Sequence, residues 1–432
     1  MTTLRAVLAA MVFASPMAAA QATADTLRLA ELQASAMRRD PRDAQAALLA
    51  QQSRLRMASI EADRRPTLTL EGVAQYQSDV TRFGLTLPGA SIPTPPHDTY
   101  DARIVAQQRL FDPTRRPRLA VEEAQLDASR AQVATSMYAL RQSVNDAFFT
   151  VLRAQSQLAE LEASITDLEA QLQMAAVRVR EGTALPSEEM TIRAELLRRR
   201  QIVAEWRASR LAAAAVLEDL TATRVDSGAM LGEPDVADAV ARARAGIDAA
   251  RGRPEFTQFG AARALLEKQE QARAAQDKPR VSLFGRMGYG RPGLNPLNTS
   301  FDAYWLGGVQ AQWAPWTWGT SARDREVLRL QRQIVQADEA AFAAGLKRAV
   351  AQDVASIDRL AAALATDDQI IELRERVLVE TRARYREAVV NSAEYIDRQT
   401  DVLSARITRA LHRVELAQHR ARLLTTLGIE VR

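Results

Sequence analysis

The chain contains no cysteine, which excludes disulfides, thiol catalysis and a lipid attached to an N-terminal cysteine. Histidine is nearly as scarce: His97, His412 and His419 are the whole supply, and no HExxH, P-loop or GxSxG arrangement gives them catalytic partners. His412 and His419 stand seven apart, whereas paired histidine ligands on a helix recur at i, i+4, so neither a metal nor another cofactor is expected. Glu188 and Glu189 read as acids at a helix start and not as a general acid and base. Beyond the N-terminus no run approaches the ~18 to 20 apolar residues of a transmembrane helix, so contact with a membrane would be made by strands or through partners. Charge of one sign is also missing. With 57 Lys and Arg against 53 Asp and Glu the net charge is only +4, and basic runs such as Arg198-Arg199-Arg200 read as solvated helix faces. Nucleic acid is therefore not an expected partner, because it demands clustered cations without matching acids.

The N-terminus supplies the one short apolar run. Arg5 gives a basic start, Ala6 to Ala14 an apolar stretch, and Ala18-Ala19-Ala20 or Ala20-Gln21-Ala22 a small-residue cleavage site, the pattern of a secretory signal.

What is abundant is repetition. Shifting the sequence by 206 residues lays Gln107–Ala222 on Trp313–Gly428 without a gap, so that Leu140 meets Leu346, Glu188 meets Glu394 and the block RVRE at Arg178 meets RYRE at Arg384. An offset of 213 aligns the preceding stretch and puts Arg65-Pro66 on Lys278-Pro279. Two copies of one plan result. The chain divides into a signal peptide at 1–22, a first repeat at 23–225 with an N-terminal helix, strands near 66–77 and 100–111 and a helical hairpin at 113–224, and an interruption at 226–236. The second repeat, 237–432, has a helix, strands near 279–290 and 301–313 and a hairpin at 319–428.

In the first copy Val144, Val151, Leu158, Ile165, Leu172 and Val179 recur every seven residues, with a second apolar series through Leu161, Leu168 and Ala175. Two apolar positions per heptad specify a left-handed coiled-coil seam. A helix from Pro113 to Glu181 would run roughly 100 Å at about 1.5 Å per residue. The second copy keeps one seam, Val350 to Tyr385, but carries Asp353 and Asp367 in the other. The hairpins turn at EGTALPSEE, Glu181 to Glu189, and at EAVVNSAEY, Glu387 to Tyr395. Gly182 can take the left-handed position after the first helix, Pro186 can open the next, and Asn391 or Ser392 can cap the helix after the second turn. The return helix of the first copy is expected to resume at Val236 and continue to Asp277 with a bend near Pro254.

Four segments alternate. Leu68, Leu70, Ala74 and Tyr76 interleave with Thr and Gln; Ala102, Ile104, Ala106 and Leu110 with Arg and Gln; Val281, Leu283, Met287 and Tyr289 with Arg and Ser; Ala303, Trp305, Val309, Ala311 and Trp313 with Tyr304 and Gln. One apolar and one polar face over about ten residues suits a tilted membrane strand with a wet lumen. Trp313, Trp316 and Trp318 gather at one end, and Phe301, Tyr304 and Trp305 towards the other. The Gly- and Pro-rich turns, one of them spanning Leu85 to Pro96, would form outward loops. Four strands leave two open edges, which hydrocarbon does not tolerate. Copies of the chain must close the sheet, two giving eight strands and three giving twelve with room for an aqueous passage.

The duplicated plan, the strand openings RRPTLTL (Arg64 to Leu70) and KPRVSLF (Lys278 to Phe284), the closing blocks RLFDPTRR (Arg109 to Arg116) and APWTWGTS (Ala314 to Ser321), and the two hairpin turns together resemble the TolC-like outer-membrane efflux factors over almost the whole chain after the signal. The turn EGTALPSEE is similar to the heavy-metal-efflux branch. The resemblance implies an α+β membrane channel: a homotrimer with a twelve-stranded barrel, four transmembrane strands per protomer, continued by a tunnel of coiled-coil hairpins across the periplasm of a Gram-negative cell. It implies a passive exit duct, not an enzyme, in outer-membrane lipid, working with a periplasmic adaptor (membrane fusion) protein and an inner-membrane transporter such as an RND pump. A type I protein secretion duct has the same fold, and a periplasmic coiled-coil scaffold would share the heptads without the strands. Residue by residue, it implies a periplasmic aperture at Tyr385, Glu394, Asp397 and Glu188 and adaptor-docking tips at Gly182, Thr183, Ala388 and Val389. Where the family has glycine this chain has Ala388, which does not favour positive φ.

Overall fold

A computed structural model describes residues 26–81, 94–226, 229–243 and 247–430. The signal peptide expected at 1–22 and most of the loop expected at Leu85 to Pro96 lie outside them. The elements run α1 (Leu29–Arg39), α2 (Asp43–Ala62), β1 (Thr67–Tyr76), β2 (Asp98–Phe111), α3 (Arg115–Arg180), α4 (Pro186–Thr221), α5 (Ala237–Ala243), α6 (Pro254–Ala275), β3 (Arg280–Arg291), β4 (Asp302–Gln312), α7 (Thr320–Arg386) and α8 (Ser392–Leu427). In place of one bent helix from Val236 to Asp277 there are two, with a 3-10 turn at Ile247–Gly252 before α6. Pro254 is the first residue of α6, where its missing N–H costs nothing, and Arg253 before it is extended at φ −70° and ψ 142°. Among the described residues no helix is long and apolar enough to cross a membrane.

Contacts group the described chain into two units, each considered alone. One gathers the segment ending at Leu32 with Ala147–Pro234 and Leu364–Val414; the other holds Gln33–Asp146, Asp235–Ala363 and the chain from Glu415.

In the first unit the heptad seam of α3 lies against α4 and α8. Leu168 and Ala175 pack with Ile192 and Leu196 of α4 and Ile396 of α8, and Leu158 and Leu161 with Val203 and Leu403. On α4 the buried positions Ile192, Leu196, Arg199 and Val203 follow one another at alternating spacings of four and three, the rhythm of a helix face turned inward. Arg199 therefore occupies a core slot. The reading of Arg198-Arg199-Arg200 as a solvated face holds for the outer two, which pair with Glu195 and Glu169 at 2.7 Å each, and fails for the middle one, which is fully buried. A buried guanidinium needs partners on every side, and Arg199 bonds to Glu195 at 2.7 Å, to Thr400 of α8 at 3.1 Å and to Ser164 of α3. Burial would push the Glu195 carboxyl up; the hydrogen bonds from Arg198 and Arg199 outweigh it and hold the group below the usual carboxylate range.

The second unit contains the sheet, antiparallel throughout in the order β1-β2-β3-β4. Its register places Glu71, Arg103, Gly288 and Tyr304 in one cross-strand row and Leu70, Ile104, Met287 and Trp305 in the adjacent one. The first row is polar and linked: Arg103 reaches Glu71 at 2.7 Å and Asp101 at 2.9 Å, and the Tyr304 hydroxyl donates to Asp101 at 2.6 Å. The second row is apolar and open, with Leu70, Met287 and Trp305 all more than half exposed. A bulge between Arg109 and Phe111 sets Phe111, in place of the expected Leu110, opposite Val281. Elsewhere in this unit Asn145 is buried and satisfied at both ends of its amide, accepting from Gln33 at 2.5 Å and donating to Thr425 at 2.9 Å. Arg253 donates to the carbonyl of Thr426 at 3.0 Å near the C-terminus of α8, a place that favours a cation.

Glu195→Gln should destabilise the protein by roughly 3 kcal/mol, because it leaves a buried guanidinium without its anion, while Glu195→Gln with Arg199→Met should recover most of that loss. Denaturant unfolding followed by circular dichroism measures both. Since the Glu195 pKa is depressed in the fold, its contribution is present above the unfolded value and fades as pH falls through the folded one. The parent should lose stability in acid more steeply than the double variant.

Candidate functional site

The two hairpin turns close by the same backbone device. At the end of α3, Gly182 takes φ +71°, its N–H donates to Val179 O at 3.1 Å, and the N–H of Thr183 donates to Arg178 O at 2.9 Å. At the end of α7, Ala388 takes φ +57°, with N–H bonds to Tyr385 O at 3.2 Å and from Val389 to Arg384 O at 2.9 Å. Both are Schellman closures, which satisfy carbonyls that the helix end leaves free. The doubt raised by alanine at 388 is resolved in favour of the turn: the left-handed conformation is kept and the methyl group bears the strain. Glu188 and Glu189 lie in the first turn of α4 behind Pro186, and Asn391 Oδ1 accepts from Glu394 N at 2.9 Å at the start of α8.

Next to these turns is a cluster of polar and aromatic side chains. Asp167 of α3 accepts from Arg382 Nη2 with both oxygens at 3.0 Å, from Gln399 Nε2 at 2.5 Å and from the Tyr395 hydroxyl at 3.5 Å. The Tyr395 ring stacks on Tyr385, centroids 5.3 Å apart and planes 13° from parallel. The guanidinium of Arg178 covers the Tyr385 ring at 4.4 Å and donates to its carbonyl at 3.3 Å. The Tyr385 hydroxyl donates to Glu188 Oε2 at 3.2 Å. Four helices are thereby tied within one unit. Beside Tyr385 and Arg178 lies an open groove of about 600 Å³ with the apolar side chains of Met174 and Val177 in its wall.

Of the residues singled out from sequence, Tyr385 and Glu188 are brought together. Glu394 and Asp397 are exposed on α8, outside the Asp167 cluster, and Arg384 pairs with Glu380 at 3.9 Å and not with either of them. Gly182, Thr183, Ala388 and Val389 all lie in the turns. Asp167, Arg178, Arg382, Tyr395 and Gln399 were not anticipated. A signal for two of them exists in the repeat: at the 206-residue shift Asp167 meets Leu373 and Arg382 meets Ala176, so this charged pair occurs in one copy without a counterpart in the other. The two histidines of α8 each take an aspartate, His412 with Asp367 at 2.6 Å and, in the other unit, His419 with Asp353 at 3.0 Å. Asp353 also accepts from Arg422 at 2.6 Å. These are the acids that interrupt the second heptad series. No group of three or more His, Asp or Glu able to hold a metal occurs among the described residues.

Burial is the largest influence on both stacked tyrosines and pushes each phenol above the ordinary tyrosine range, with Arg178 opposing it at Tyr385 and Arg382 at Tyr395. A raised pKa means that the neutral phenol contributes stability below the unfolded value, lost as pH climbs through the folded one. Spectrophotometric titration of phenolate should therefore show late, strongly alkaline ionisations, and Tyr385→Phe should remove one of them.

The family model described as outer membrane efflux protein matches residues 30–223. A comparison with curated protein sequences finds no match. Solved structures share the fold through both repeats. CusC is 16% identical with a TM-score of 0.70, covering 93% of this chain and 92% of its own. The outer membrane protein VceC of Vibrio cholerae is 16% identical at 0.65, covering 94% and 97%. The MtrE outer membrane channel of Neisseria gonorrhoeae, solved in its open state, is 18% identical at 0.66, covering 94% and 90%. Residues 30–223, in the first repeat, thus match the outer membrane efflux protein model, and both repeats share the fold of these solved outer-membrane proteins.

Proposed function

We propose that three copies of this chain form the exit duct of a tripartite efflux system, passively conducting substrates delivered by an inner-membrane pump through a periplasmic adaptor. The observation that carries the reading is the sheet. It is four-stranded, its outer strands β1 and β4 each have one free edge, and its apolar row is open while its polar row is internally bonded. Such a sheet is stable in hydrocarbon only if its edges are closed by identical sheets and its apolar face meets lipid. A periplasmic scaffold would have no use for that face. The expected test is fractionation with the outer membrane as a heat-modifiable oligomer; recovery as a monomer in the periplasmic wash would refute the barrel.

The hairpin ends are the proposed aperture and docking surface. Three copies would bring Glu188, Glu394 and Asp397 around one axis, a carboxylate ring that attracts cations, while the Asp167–Arg382 pair and the Tyr385–Tyr395 stack hold the helices of each copy together. Asp167→Asn with Tyr385→Phe should raise single-channel conductance in planar bilayers, and Glu394→Gln with Asp397→Ser should mainly reduce cation preference at nearly parental conductance. Parental conductance and ion preference in both variants would count against an aperture here.

At the tips, Gly182 and Thr183 with Ala388 and Val389 are the proposed adaptor contacts, next to the groove beside Tyr385. No neighbouring atom would meet a Cβ at Gly182, so Gly182→Val acts through the left-handed backbone, at about 1–2 kcal/mol, and through the bulk it presents outward. Oligomer assembly should survive while export and adaptor cross-linking fall; unchanged export would dismiss the site.

A further inference from the structure

The two faces of the sheet treat their aromatic residues differently. Alternate residues of a strand share a face, so the open face carries Trp305 with Leu70, Ile104 and Met287, and the other carries Glu71, Asp101, Arg103, Phe284 and Tyr304. On the open face Tyr76, Tyr289 and Trp305 stand 75%, 58% and 77% exposed. Phe284 and Tyr304, the aromatics of the other face, are half-buried, and each lies on a glycine. The register sets Tyr304 of β4 opposite Gly288 of β3, and Phe284 of β3 opposite Gly308 of β4, one pair in each direction across the same two strands. A Cβ at Gly288 would stand 2.8 Å from Cζ and Oη of Tyr304, and one at Gly308 would stand 3.1 Å from Cζ of Phe284. On the open face, Gly72 and Gly285 would meet nothing within 4 Å.

Glycines on β3 also let side chains meet across that strand. β2 and β4 are not neighbours, and with strands about 4.8 Å apart they lie roughly 10 Å from each other. The Tyr304 hydroxyl nevertheless reaches Asp101 of β2 at 2.6 Å, because β3 offers only Gly288 and Gly290 beneath it. Asp101 Oδ1 lies 3.0 Å from where a Cβ of Gly290 would be, and the same carboxylate accepts from Arg103 at 2.9 Å. The phenol thus has its partner on the wall of the sheet, and its ring lies along that wall. A ring laid on glycine stabilises strands on either face of a sheet. Its confinement to one face requires a second reason.

We propose that Gly288 and Gly308 are positioning residues that set the bore of the duct where it crosses the membrane, by keeping Tyr304 and Phe284 flat against the wall. This rests on the reading that three sheets close a barrel with the apolar face outward, which makes the other face the lining. Twelve strands about 4.8 Å apart and tilted by ~40° close to a backbone diameter of roughly 24 Å. Two rings from each of three copies would fill much of that width if they stood inward, whereas an upright ring on the lipid side obstructs nothing.

The chain has no cysteine, so Gln310→Cys in the full chain gives a single label site. Gln310 shares the lining face and follows Gly308 along β4 towards α7, behind both rings for a reagent entering past the loops. Intact cells are treated with maleimide-polyethylene glycols of increasing mass, and the largest that shifts the protein on a denaturing gel is read in this background. Gly288→Ala and Gly308→Ala should each lower that mass by about twofold or more, and Gly288→Ala with Tyr304→Ala, or Gly308→Ala with Phe284→Ala, should restore it. Gly285→Ala, on the open face, should keep the parental cut-off. Tyr304→Ala and Phe284→Ala alone should keep it too, since removing a ring that lies flat frees little width. Those two variants decide the matter even where a glycine variant fails to assemble: a cut-off raised about twofold by loss of either ring would mean that the ring stood in the passage, and overturns the proposal. An unchanged cut-off in assembled Gly288→Ala and Gly308→Ala, or a lowered one that loss of the ring does not restore, overturns it as well. So does a parent that forms the oligomer yet reacts with no polymer, because the narrowest point then lies elsewhere. Failure of the barrel reading looks different, since Gln310→Cys would then show no size cut-off in the parent and no heat-modifiable oligomer would form.

Discussion

The seam between α3, α4 and α8 is an apolar contact repeated once per heptad, and it constrains every other feature of the hairpins. A helix committed to a seven-residue rhythm offers only the a and d positions for burial, so a polar residue at one of those positions must find its partner on the facing helix or leave a costly orphan. Arg199 and Asp353 sit under that constraint. Each is fully buried and each is met by groups from another helix: Arg199 by Ser164 and Thr400 as well as by Glu195 of its own helix, Asp353 by His419 and Arg422. Such pairs add little net stability compared with an apolar isostere, whereas removing one partner leaves a charge uncompensated in the core.

How much of this could be read from the residues follows from the same rhythm. The helices were legible because Val144 to Val179 repeat without interruption, and the strands because apolar and polar residues alternate in four segments. What escaped were particular polar contacts between helices. Arg199 looked like the middle of a solvated basic run, although its place in line with Ile192, Leu196 and Val203 marks an inward face. Asp167 and Arg382 lie more than two hundred residues apart, and no local pattern joins them. The break before Pro254 was read as a bend because proline at the first position and proline inside a helix leave the same mark on a sequence.

Duplication sharpens the contrast between what the fold requires and what has been added to it. Where both copies need a feature, both have it, often by different means: glycine closes one tip and a strained alanine the other, with the same backbone bonds. Where only one copy has a feature, the fold does not demand it. The Asp167–Arg382 pair and the tyrosine stack both fall in this second class, because the equivalent positions of the other copy complete the same elements without them. Departures from the repeat are thus a guide to function that requires no comparison with any other chain.

The position of the Asp167 cluster, at the turn end of the hairpins, also has a physical consequence. An apolar seam is stabilised by contact over its whole length and cannot be released at one point, whereas a hydrogen-bonded carboxylate can exchange its partners for water or for another subunit at small net cost. The cluster is not saturated either, since Arg382 Nε and Gln399 Oε1 are buried without hydrogen-bond partners. Unsatisfied groups beside a satisfied network lower the cost of rearranging it. Placing the exchangeable contacts at the turns and the unexchangeable ones along the seam permits the hairpin ends to move while the helices behind them keep their register, which is the division of labour that a proposed aperture at the end of a rigid duct requires.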